Sequence, residues 1–68
     1  MTNDELRNAF KAQSFVRWDG IQPGGKYFLQ GINAQWINGR VVTSAILLDN
    51  NTNGRTIYQV KPKDVKEI

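Results

Sequence analysis

The stretch KYFLQGINAQWINGRVVTSAILL, residues 26–48, decides the fold of this chain. At its centre Asn38-Gly39 stands between Trp36-Ile37 and Arg40-Val41-Val42. That dipeptide favours a two-residue turn with positive φ at both positions, flanked by strands. The spacing predicts strands over 26–37 and 40–48 joined as a hairpin, with Gly31 a bend or bulge in the first. The second strand is apolar on both sides: Val41, Ala45 and Leu47 share one face, and Val42, Ile46 and Leu48 the other. A flat two-sheet stack has no use for both. A strand in a tiny barrel capped by a helix uses both, and so does a strand at an interface between copies.

Upstream, residues 14–18 are strand formers, with Phe15 alternating with Arg17 and Val16 with Trp18. Asp19-Gly20 and Pro23-Gly24-Gly25 then break the chain into a loop. Residues 2–13 read as a helix. Thr2 with Glu5 three positions on is a capping box, Asp4 and Glu5 suit the positive end of the helix dipole, and Leu6, Ala9 and Phe10 form one narrow apolar stripe. About eleven residues make a helix that is marginal alone, so Leu6 and Phe10 are expected to pin it to an apolar surface. Downstream lies a polar loop, 49–54, whose Asn53-Gly54 suits a second hairpin. A strand over 55–61 follows, then a break at Lys61-Pro62-Lys63-Asp64, then a short extended piece or helical turn over 65–68. One N-terminal helix and about five short strands imply a mainly β fold, a small antiparallel barrel.

The closing run, RTIYQV then KPKD then VKEI, resembles the end of SH3-like small barrels, where a strand leads through one 3₁₀ turn into a last short strand. The resemblance spans about residues 14–68 and implies an SH3-like barrel with residues 1–13 as a helix packed on it. It also implies that Val60, Val65 and Ile68 point inward. The plasmid-borne type II dihydrofolate reductases are similar in barrel and carry a Val-Gln-Ile-Tyr strand along a tetrameric pore. Ile57-Tyr58 match its second half, but Arg55-Thr56 replace the first, so the glutamine that family turns to its substrates is missing.

Composition narrows the chemistry. The 68 residues contain no cysteine and no histidine, which removes disulfides, thiol nucleophiles, Cys/His zinc sites and histidine acid–base catalysis. Among the six carboxylates only Asp4 and Glu5 are neighbours, and a first-turn capping role accounts for them. Residues 49–53 lack the alternating ligands and closing glutamate of a calcium loop, and Gly24-Gly25 lacks the setting of a phosphate loop. No cofactor, no metal and no enzymatic activity are expected. The N-terminal MTNDELR is no secretory signal, the longest apolar run, residues 45–48, is far too short for a membrane span, and the absence of cysteine fits a reducing cytoplasm.

Nine Lys and Arg against six Asp and Glu leave a net charge of +3, spread along the chain. Twelve Asn and Gln add neutral donors and acceptors; the asparagines suit turns, and Gln30, Gln35 and Gln59 are expected to face outward from strands. Seven aromatics exceed what so small a core needs. Trp36 and Phe28 are expected inside. Others pair with cations in sequence: Trp18 with Arg17, Tyr27 with Lys26, and Tyr58 with Arg55 and Lys61. Aromatics interleaved with cations on a sheet face offer stacking for bases and charge for phosphates. These seven residues are the expected contact set of a nucleic-acid-binding module. The alternative is a protein partner, as for a phage or mobile-element accessory protein, anchored by the same aromatics. A self-associating barrel comes third.

Overall fold

The computed structural model describes residues 1–49 and 56–68. It holds a helix α1 (Asn3–Lys11), strands β1 (Phe15–Trp18), β2 (Gly25–Ile37), β3 (Arg40–Asp49) and β4 (Thr56–Val60), a 3₁₀ turn (Pro62–Asp64) and strand β5 (Val65–Glu67). All five strands belong to one antiparallel sheet in the order β4-β3-β2-β1-β5. The Asn53-Gly54 hairpin expected from sequence lies outside the described residues.

The Asn38-Gly39 turn forms as its chemistry dictates, with φ of 51° and 77°. It sets Ile37 opposite Arg40, Trp36 opposite Val41 and Ala34 opposite Thr43. The register shifts between Leu29 and Gly31, so the bulge falls where glycine interrupts the strand. The shift turns side chains over: Leu29 and Ile32, three apart, then share the inner face with Leu47 and Ala45 opposite them.

That inner face is the core. Leu29, Ala45, Leu47, Val16 and Val65 are fully buried, and Tyr27 and Val60 nearly so. Val60 and Val65 thus point inward, whereas Ile68, one residue past the end of β5, is exposed. Thr2 caps α1 in the expected box: its hydroxyl accepts from the Glu5 N–H, and the Glu5 carboxylate accepts from the Thr2 N–H. Leu6 is buried in the core, with Met1 and Ala9 packed against it. Phe10, expected to share that role, is 42% exposed; contact runs along the i, i+3 side of the stripe and leaves position i+4 outside. The N-terminal amino group donates to the Pro62 and Val65 carbonyls at 2.8 and 2.6 Å, joining the start of the helix to the 3₁₀ turn.

The sheet's distal end departs from expectation. Trp36, expected in the core, is 76% exposed, and Val41 opposite it 63%. The hairpin outruns its neighbours: β1 pairs with β2 only as far as Phe28, and β4 pairs with β3 only from Ala45 onward. The molecule is accordingly 38 Å long but about 20 Å across.

At the other end Trp18, Tyr27 and Tyr58 form a triangle, with centroids 5.2 to 6.0 Å apart. The loop after β1 passes so close that a Cβ on Gly20 would lie 2.0 Å from the Trp18 ring. Gly20→Ala must displace the indole or the loop, at a cost of about 1–3 kcal/mol by overpacking. A lowered urea midpoint with unchanged m-value is the expected reading. Gly24→Ala, where no atom lies within 4 Å of the added Cβ, would strain only the positive φ.

A candidate nucleic-acid interface

Strand alternation divides β1 cleanly. Val16 is buried and Trp18 packs on the core, so both face inward; Phe15 and Arg17, between them, face out. Pairing then sets Arg17 between two further cations. Its partner on β2 is Lys26 and its partner on β5 is Lys66. Adjacent strands lie about 4.8 Å apart, so the three cations form one row about 10 Å long across three strands. All three are exposed.

Two aromatics flank the row. Phe15 is 48% exposed and meets Phe28 edge-on with centroids 5.6 Å apart. The Lys26 ammonium stands 4.8 Å from the Phe15 ring centroid, a cation–π contact that steadies the lysine above the sheet. Phe15 and Lys26 also wall an open groove of about 540 Å³ beside α1. Glu5 and Glu67 line that groove too, so an anion is favoured along the cation row and disfavoured deeper in.

The far end of the row is held by Asp19, whose carboxylate lies 3.6 Å from the Lys66 ammonium. The other Asp19 oxygen accepts a 2.6 Å hydrogen bond from the Gly24 N–H. That bond first, and Lys66 second, hold the Asp19 carboxyl below the usual carboxylate range. Asp19 therefore stays charged through ordinary pH and offsets part of Lys66.

Of the seven residues the sequence singled out, the structure brings Arg17 and Lys26 together on this face. Trp18, Tyr27 and Tyr58 lie on the opposite, inner face as the triangle described above. Burial, with the Asp49 charge nearby, raises the Tyr27 hydroxyl above the ordinary phenol range, so this ring stays neutral and enclosed. Lys61 sits at the start of the 3₁₀ turn, beside Lys63, Val42 and Thr43, away from the row. Arg55 lies outside the described residues. Lys66 and Phe15 join this face without having been singled out in the sequence. Phe28, expected inside, is half-buried edge-on against Phe15 on it, because it pairs with that outward residue. The alternation of Phe15 with Arg17 carries the signal for Phe15: a residue two positions from an exposed arginine shares its face. Lys66 needed the β1–β5 pairing, which no local pattern encodes.

Among the described residues no three His, Cys, Asp or Glu gather as a metal site, and no helix is long and apolar enough to cross a membrane. Compared with protein families, curated proteins and solved structures, the chain finds no match in any of the three.

Proposed function

We propose that this protein is a cytoplasmic, non-enzymatic binding module that holds single-stranded nucleic acid on the outer face of β1, β2 and β5. The row Lys26–Arg17–Lys66 carries the reading. Three cations at strand spacing match the phosphates of about two or three nucleotides, and the half-exposed Phe15 ring beside them offers a base a stacking platform. An unstacked base reaches a ring on a sheet face; a base inside a duplex does not. The strand order β4-β3-β2-β1-β5, with a 3₁₀ turn between β4 and β5, supports an SH3-like barrel as the scaffold.

Titrating salt against binding of a labelled oligothymidylate by fluorescence anisotropy tests the proposal. Three released counterions on a single strand predict a slope of log K against log salt of about −2. A protein partner anchored by aromatics would respond far less to salt. No binding at low salt, or binding indifferent to salt, would sink the proposal.

A further inference from the structure

We infer that the protruding end of the β2–β3 hairpin is a self-association surface, on which a second copy of this chain adds antiparallel to the free edge of β2. The inference stands apart from nucleic-acid binding, which uses the other end of β2.

The backbone supplies the first argument. A two-residue turn closes with a hydrogen bond between its flanking residues, here Ile37 and Arg40. Alternation along the ladder makes Gln35–Val42 the next hydrogen-bonded pair, so the N–H and C=O groups of Ala34 and Trp36 turn away from β3. Among the described residues no strand meets them there. An edge of this kind is a template for another strand, and charges or prolines ordinarily guard it. This one has neither: no charged residue or proline occurs between Lys26 and Arg40.

Charge also identifies the occupant. The opposite edge, on β3, carries Arg40 and is flanked near Val42 and Thr43 by Lys61 and Lys63, so two copies repel there. The β2 edge is neutral and meets its own copy without penalty. Pairing about a two-fold axis at Gln35 sets Ala34 against Trp36 of the second copy, in both directions. Large then meets small on the inner face, and the free groups of Ala34 and Trp36 satisfy one another. The contact is isologous and closes as a dimer.

Exposure agrees. Ala34, Gln35, Trp36 and Ile37 on β2 are all exposed, Trp36 by 76%, so the side chains that this pairing brings together are open to a second copy.

The absence of native cysteine allows a clean test. Opposed residues in a non-hydrogen-bonded pair have Cα atoms about 4.5 Å apart, within the disulfide range of about 4.4–6.8 Å. Gln35→Cys in glutathione buffer is expected to become mostly disulfide-linked dimer, at least about tenfold faster than Gln22→Cys in the exposed β1–β2 loop. Equal rates would overturn the inference. Sedimentation equilibrium on the unmodified chain should show twice its 7.7 kDa mass, with Trp36→Lys returning it to one. A wild-type monomer up to about 500 μM, a dimer indifferent to Trp36→Lys, or open-ended oligomers would each overturn it.

Discussion

Leu47→Ala is expected to leave this chain largely unfolded at room temperature. Leu47 is fully buried on β3, opposite Leu29 on one side and Tyr58 on the other. Truncating such a leucine costs about 2–5 kcal/mol, because lost transfer free energy adds to that of the cavity left behind. A core in a chain this short rarely supplies more than about 3–5 kcal/mol in all, and neither disulfide nor histidine-bound metal makes up the difference here. Far-UV circular dichroism and urea denaturation read the outcome. Val41→Ala, on the same strand but 63% exposed, is the comparison and should melt within about 0.5 kcal/mol of the parent. A cooperative transition for Leu47→Ala near the parental midpoint would show that the inner face of β3 is not the centre of the core.

The second large effect concerns binding. Replacing Arg17, Lys26 and Lys66 together by glutamine should lower affinity for single-stranded oligonucleotide about a thousandfold at low salt. Hydrogen bonds to charged groups each contribute about 1.5–3 kcal/mol, and Lys66 contributes least because Asp19 competes for it. The salt slope should fall from about −2 toward zero, since no counterions are then displaced. All three side chains are exposed, so the variant should keep its fold while losing the cation–π contact of Lys26 with Phe15 and the exposed Lys66–Asp19 ion pair. Lys61→Gln, with its charge off the face, should change affinity about twofold or less. Equal losses for Lys61→Gln and the triple variant would mean that net charge, and not the row, holds the ligand.

Much of this architecture is legible in the sequence because its local signals agree. Asn38-Gly39 demands positive φ at two successive residues, and few chain conformations supply that. Thr2 and Glu5 specify a helix start by reciprocal hydrogen bonds. Gly31 marks the bulge. Each signal acts within a few residues and survives whatever packs around it. The candidate site was half legible for the same reason. Adjacency in sequence suggested Trp18 with Arg17 and Tyr27 with Lys26, but neighbours in a strand point to opposite faces. Each aromatic therefore went to the core and its cation to the surface. Phe15, two positions from Arg17, is the aromatic that shares its face.

Local residue patterns set where strands begin and turn and how the helix is capped, and composition removes cysteine and histidine chemistry. Long-range strand pairing settles which apolar face of β3 becomes the core, sets Lys66 beside Arg17 and Lys26, and leaves Trp36 in the open. Periodicity within a strand records the alternation of its two faces. How far neighbouring strands reach along it is set by pairings between residues distant in the chain, and that reach decides what is covered.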